Sequence, residues 1–243
     1  MEPRSFFKTD ESRMTGRVYA ISGAFGALGS AVAKAAAAKG ARLALIDFAP
    51  TPPDGLPKGD GVLALGGVDL TDPAAAARAV EAVVARFGGL DVLINIAGGF
   101  RWEKHEGGDP ETWSKLFLMN VQTAANASRA ALKALKASKS GRIVNIGANG
   151  AVKAAAGMGA YAASKAGVHK LTEALAEELK ASGVTGNAVL PSIIDTPANR
   201  ADMPDADASA WVTPDYLAAV ILFLASEEAR AVTGALVPVT GKV

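Results

Sequence analysis

From Arg17 onward, short apolar runs alternate with longer stretches in which apolar residues recur at helical spacing. The runs "RVYAIS", "ARLALID", "VLALGGVDL", "DVLINIAG", "GRIVNIGA", "VTGNAVLP" and "ALVPVT" predict strands. Between them, "LGSAVAKAAAAKG", "DPAAAARAVEAVVARFG", "GAYAASKAGVHKLTEALAEELKASG" and "PDYLAAVILFLASEEA" predict helices, and Pro110–Ser138 reads as one long helix. Asp72 stands where an N-cap belongs, with Pro73 at the first helical position. The strands are apolar nearly throughout instead of alternating, as expected where both faces of a parallel sheet are covered. Strand–helix repetition with right-handed crossovers then gives an α/β fold: a single-domain, doubly wound parallel sheet with helices on both faces. The domain is expected over residues 17–243, after a flexible N-terminal tail over 1–16. Two connections are long and polar: "APTPPDGLPKGDG", and Ser192–Thr213 with Pro197, Pro204, Asp202, Asp205 and Asp207. The second has the length of an active-site lid.

Composition narrows the chemistry. Half of the 243 residues are hydrophobic, enough for a substantial core, and the net charge of +1 carries no electrostatic footprint for nucleic acid or a membrane surface. With no cysteine, disulfides, zinc–thiolate sites and thiol nucleophiles are excluded. His105 and His169 lie far apart and without a nearby carboxylate pattern, so no metal site is expected. The N-terminus lacks the apolar stretch of a signal peptide, and no run reaches membrane-spanning length, which points to a cytoplasmic protein.

The first strand leads into "SGAFGALG", which puts Gly23, Gly26 and Gly29 at the entry to a helix. Glycines there permit a tight turn, close approach to a pyrophosphate, and close helix–strand packing, while the helix N-terminus offers free N–H groups. A Rossmann-type dinucleotide site is expected here, with Ser22, Phe25, Ala27 and Leu28 in the same loop. Asp47 ends the second strand, eighteen residues beyond Gly29. A carboxylate there accepts from adenosine ribose hydroxyls and repels an added ribose phosphate, so NAD(H) is expected over NADP.

Taken in order, these pieces resemble the short-chain dehydrogenase/reductase family over nearly the whole chain after the tail. The family's glycine motif is TGxxxGxG; here Ser22 replaces the threonine and Ala27 the middle glycine. By the resemblance, Asp69 and Leu70 of "VDL" contact adenine, and "NIAG" (Asn95, Ala97, Gly98) corresponds to NNAG, with Ile96 replacing an asparagine. Asn120 matches the helix asparagine that holds a proton-relay water, and Tyr161 and Lys165 match YxxxK. "LPSIIDTP" corresponds to the nicotinamide-contacting stretch, implicating Pro191, Ile194 and Thr196, with Ser192 in place of a usual glycine. Two segments, "GANGAVKAAAGMGAYAASKAGVHKL" and "LPSIIDTPANRADMPDADASAWVTP", resemble the quinonoid dihydropteridine reductase branch. That branch also has alanine at the family's serine position and an AGG before an aromatic, as in Ala97–Phe100 here. The resemblance further implies a homodimer or homotetramer paired through the two long helices.

Tyr161 and Lys165 share one helical face. A neighbouring ammonium and an oxidised nicotinamide both favour phenolate, so Tyr161 is expected to be lowered and to serve as general acid in reduction and general base in oxidation. Ala148 stands thirteen positions before Tyr161, where the family has its serine. A methyl group donates nothing to a developing oxyanion, and losing one such donor costs roughly 10²–10³ in rate. A quinonoid dihydropteridine is already electrophilic and demands less. Phe100 and Trp102 are placed to stack on a planar substrate, and Asn149 is a candidate replacement donor. The sequence therefore predicts an NAD(H)-dependent oxidoreductase for a small planar substrate. A carbonyl reductase or alcohol dehydrogenase, and a dinucleotide-binding regulatory protein, are the alternatives.

Overall fold

The computed structural model describes residues 14–243, and most of the expected tail lies outside the described residues. Its last three residues belong to the fold. Met14 is buried in the core, and the Gly16 N–H donates to Gly40 O at 2.9 Å.

Seven strands form one sheet: β1 (Val18–Ser22), β2 (Arg42–Ile46), β3 (Val62–Leu65), β4 (Val92–Asn95), β5 (Arg142–Ile146), β6 (Thr185–Pro191) and β7 (Leu236–Val239). The order is β3-β2-β1-β4-β5-β6-β7, with every pairing parallel. The chain winds outward from β1 in both directions, so the crevice beyond the carboxyl ends of β1 and β4 is the topological switch point where such sheets bind ligands. As the unbroken apolar runs require, β1, β4, β5 and β6 are buried at every position, whereas the edge strands β3 and β7 are half-covered.

The helices are α1 (Ala27–Ala38), α2 (Pro73–Phe87), α3 (Glu111–Phe117), α4 (Thr123–Ala137), α5 (Gly159–Leu179), α6 (Pro197–Asp202) and α7 (Pro214–Leu224). On one face α1 and α7 bury Leu28, Val32 and Ala36 with Leu217, Ile221 and Leu222. On the other, α2, α4 and α5 bury Val80, Val83, Ala131, Leu135, Leu175 and Leu179. Asp72 caps α2 as expected, accepting from the Ala74 and Ala75 N–H groups, with Pro73 inside the start.

Two expectations need correction. The helix expected over Pro110–Ser138 is interrupted at Leu118–Gln122 by a π-helical turn that separates α3 from α4. Hydrophobic periodicity does not register one extra residue in a turn; the cause is tertiary, because the turn carries Asn120 to the β4 exit. The expected loop Ser192–Thr213 contains α6 and a 3₁₀ turn at Ala208–Ala210. It is tied back by a bridge between Ile194 and Val212 and by Asn199 Nδ2 donating to Ile194 O at 2.7 Å. Thr196 N-caps α6 and Pro197 starts it, a local signal sufficient for a short helix.

Candidate active site

A cleft of about 970 Å³ opens over the carboxyl ends of the central strands. Gly23, Gly26, Ala27, Leu28, Gly29, Asp47, Asp69, Leu70, Ala97, Gly98 and Thr196, all expected on the cofactor side, line it. Phe48, Val68, Thr71, Lys115, Met119 and Thr123 line it too and were not expected.

Local geometry accounts for the glycines. Gly23 has φ +66°, and a Cβ there would stand 2.8 Å from Ala97 N. A Cβ at Gly29 would collide with Gly23 O, so the third glycine lets α1 sit against the turn. At Gly26 a Cβ would meet nothing closer than 3.5 Å, so that glycine keeps the approach open on the cleft side. Gly26 also makes no side-chain cap, which leaves the first N–H groups of α1 available to an anion. Asp47 holds the loop: its Oδ2 accepts the Phe25 N–H and its Oδ1 the Ala49 N–H, both at 2.9 Å. Asp69 is braced by Thr71, whose N–H and hydroxyl both donate to Oδ1. These features fit a dinucleotide: a tight turn that Gly23 and Gly29 make possible with Gly26 open to the cleft, an open helix N-terminus, and a carboxylate fixed at the β2 end.

Two residues expected on the cofactor side also hold the scaffold together. Ser22 is buried, and its Oγ accepts the Ile96 and Ala97 N–H groups at 3.1 and 3.2 Å, joining the β1 and β4 exits. Asn95 is buried as well. Its Nδ2 donates to Ser128 Oγ and Asn145 Oδ1, and Asn145 passes the chain on to Thr172. This ladder locks β4, β5, α4 and α5 beneath the site. Phe25 contributes its backbone to Asp47; Pro191 ends β6, and Ile194 lies in the tied-back segment.

On the far side of the β4 exit, Asn120 clamps Gly99: its Oδ1 accepts the Gly99 N–H at 2.9 Å and its Nδ2 donates to Gly99 O at 3.1 Å and to Ser164 Oγ at 2.9 Å. Its side chain is therefore committed to the turn. A Cβ at Gly98 would strike Asn120 Oδ1 and lie 3.5 Å from Lys165 Nζ, so Lys165 stands directly behind the cleft wall.

Lys165 is 6% exposed, and its Nζ donates to Ile146 O at 2.9 Å. Burial lowers it to about 8. Burial acts on Tyr161 in the opposite sense and pushes the phenol up to about 12. For the protein's own groups, desolvation of the phenolate works against the lowering expected from the lysine. Phe100 meets Tyr161 edge-on, with centroids 4.8 Å apart. Trp102 Nε1 donates to Ala156 O at 3.0 Å, and the indole lies where only glycine fits at 157 (φ +76°). Glu103 N–H to Gly157 O at 2.8 Å completes the seam between the two loops. Asn149 is half-buried and opens a 3₁₀ turn.

Ala148 is 3% exposed in extended backbone. Its N–H donates to His169 Nε2 at 3.3 Å, a contact not expected from the sequence although His169 lies one helical turn beyond Lys165. His105 instead stands edge-on to Trp113. Among the described residues no group of three or more His, Asp or Glu is arranged to hold a metal, and no helix is long and apolar enough to cross a membrane.

Comparison with known proteins agrees with this geometry. The sequence profile of the short chain dehydrogenase family matches residues 17–207. A 3-oxoacyl-(acyl-carrier-protein) reductase of Vibrio cholerae is 31% identical over 94% of this chain and 97% of its own. A D-beta-hydroxybutyrate dehydrogenase of Cupriavidus necator is 30% identical over 92% and 96%. Among solved structures, a short-chain type dehydrogenase/reductase from Mycobacterium ulcerans superposes with a TM-score of 0.87 at 26% identity, covering 95% of this chain and 90% of that one. A levodione reductase gives 0.84 at 28% identity, covering 94% and 98%.

Proposed function

The chain belongs to the short-chain dehydrogenase family, and we propose that it is an NAD(H)-dependent oxidoreductase for a planar, electrophilic substrate of the quinonoid dihydropteridine kind. The observation that carries this reading is Ala148, a buried methyl group at the position where the family has a serine hydroxyl. A simple ketone develops oxyanion charge and loses roughly 10²–10³ in rate without that donor, whereas an activated ring asks less of it. Bound nicotinamide supplies or accepts the hydride. Tyr161 delivers the proton in reduction, Lys165 stands behind Gly98 to hold the ribose, and Phe100 offers its exposed face to a planar ring. Asp47 supports NAD(H) over NADP, because its carboxylate is fixed by two backbone N–H groups at the β2 end of the cleft.

A second reading, a carbonyl reductase or hydroxy-acid dehydrogenase, is favoured by the two curated relatives, which match almost the full length. There the substrate, or Asn149, supplies what Ala148 lacks. Under either reading a homodimer or homotetramer is proposed. Trp113 and Phe117 of α3 expose large apolar side chains beside α5, a face suited to a second copy. NADH oxidation against quinonoid dihydropterin, quinones, diketones and simple ketones tests the proposal. Fastest turnover of the pterin or a quinone supports it, and a clear preference for simple ketones supports the second reading. Tight NADH binding with no turnover points to a regulatory dinucleotide-binding protein.

A further inference from the structure

Tyr161, Lys165 and His169 follow one another at successive turns of α5 and form one stripe. Hydride-transfer chemistry uses the first two and leaves His169 without a role. That histidine is 6% exposed, and its Nε2 accepts the Ala148 N–H at 3.3 Å. A Cβ at Gly147 would come within 2.5 Å of the same nitrogen, so the ring is seated on backbone that only glycine leaves clear. One turn earlier, Lys165 holds Ile146 O. The β5 exit, Ile146-Gly147-Ala148, is therefore gripped at both ends by α5. An accepting Nε2 assigns the proton of the neutral ring to Nδ1.

We propose that His169 is a positioning residue for the reaction: by accepting the Ala148 N–H, its neutral imidazole fixes the backbone of the residue that replaces the family serine. A site without the serine hydroxyl depends more on the placing of what remains, and a small misplacement of substrate against Tyr161 is costly. Protonation turns Nε2 into a donor facing another donor and releases the β5 exit. Burial and the Lys165 charge hold the imidazole below its usual range, Lys170 adds to this, and Glu173 opposes it. Gly147 and Ala148, which meet the ring from the β5 exit, and Leu190 of β6, beside Gly147, carry no titratable side chain. The grip is thus intact at neutral pH and lost in acid.

The inference rests on the hydride-transfer reading but on no particular substrate. Its test follows the Ala148 amide of ¹⁵N-labelled protein by NMR from neutral pH into acid, in wild type and in His169→Gln, whose side-chain oxygen accepts without titrating. The wild-type resonance moves in one step, and the variant's does not. With whichever substrate of the panel is reduced, His169→Phe lowers kcat by about tenfold, the worth of one hydrogen bond, at unchanged NADH affinity. His169→Gln restores most of that loss and shifts the acid limb of the rate profile. An Ala148 amide indifferent to acid in wild type, or still titrating in His169→Gln, overturns the inference, as does full kcat in His169→Phe. If no substrate in the panel is reduced, the functional reading fails, while the amide titration still decides the role of His169.

Discussion

The ring of Phe100 stands edge-on to that of Tyr161, with centroids 4.8 Å apart and planes at 81°. The contact exists because the β4 exit is pinned on both sides, by Ser22 at Ile96 and Ala97 and by Asn120 at Gly99. The edge contact restrains the phenol, and Phe100 remains 54% exposed for a second partner.

Phe100→Leu keeps the bulk but removes the aromatic face. An aromatic pair contributes about 0.5–1.5 kcal/mol beyond its area, so kcat/KM for a planar substrate should fall by about 2–12-fold. NADH affinity and the rate with a small aliphatic ketone should change little. Steady-state kinetics on one substrate of each kind checks this. An equal loss on both would mean that Phe100 serves only to orient Tyr161.

Asp47 makes a prediction about the cofactor. Fluorescence titration should show NADH binding much more tightly than NADPH, since a ribose phosphate meets a fixed carboxylate. Asp47→Ala should weaken NADH by about tenfold or more, because it removes the ribose acceptor and also releases the loop that Asp47 ties through the Phe25 and Ala49 N–H groups. It should narrow the gap between the two cofactors. Equal affinities in the wild type would overturn the assignment.

Features written in local sequence were legible. Apolar strand runs gave the parallel sheet, and Gly23, Gly26 and Gly29 gave the cradle. The Asp72–Pro73 pair marked the start of α2. What stayed hidden depends on long-range contacts. The π turn brings Asn120 to Gly99, and Ser22 and Asn95 make scaffold hydrogen bonds to residues distant in sequence. Desolvation opposes the lowering expected of Tyr161 for the same reason. Spacing shows the lysine one turn away but not the desolvation that acts on both groups. His169 was within reach, since the spacing that joins Tyr161 to Lys165 carries on to it.

Replacing Ala148 by serine separates a defective site from an adapted one. If the site suits an activated substrate, Ala148→Ser should raise kcat/KM for a simple ketone by about tenfold or more, toward the worth of an oxyanion donor. It should leave quinonoid dihydropterin reduction unchanged or slower, because position 148 is closely packed at 3% exposure. A uniform gain on every substrate would show that the missing hydroxyl is a plain deficit.

The opposed shifts of Tyr161 and Lys165 fix the sign of the pH dependence. Burial raises the phenol from 10.0 to about 12, so its protonated form favours the fold. That stabilisation is fully present below the ordinary tyrosine value and is lost as pH rises through the raised one. Lys165 runs the other way: lowered from 10.5 to about 8, it withdraws stability as pH falls from the ordinary lysine value toward about 8. For catalysis, Tyr161 remains a competent acid throughout the neutral range, so reduction should show no alkaline limb from the phenol there. Oxidation needs phenolate, and its kcat/KM should climb roughly tenfold per pH unit while the phenol remains mostly protonated. Tyrosinate absorbance can follow the group directly, because the chain has only three tyrosines. The difference between wild type and Tyr161→Phe isolates this one. Without cofactor the difference signal should emerge only in strong alkali. With oxidised cofactor, whose positive nicotinamide favours phenolate, it should move to lower pH. A signal emerging near neutrality without cofactor would show that Lys165 outweighs burial, and would restore the phenolate expected from the sequence.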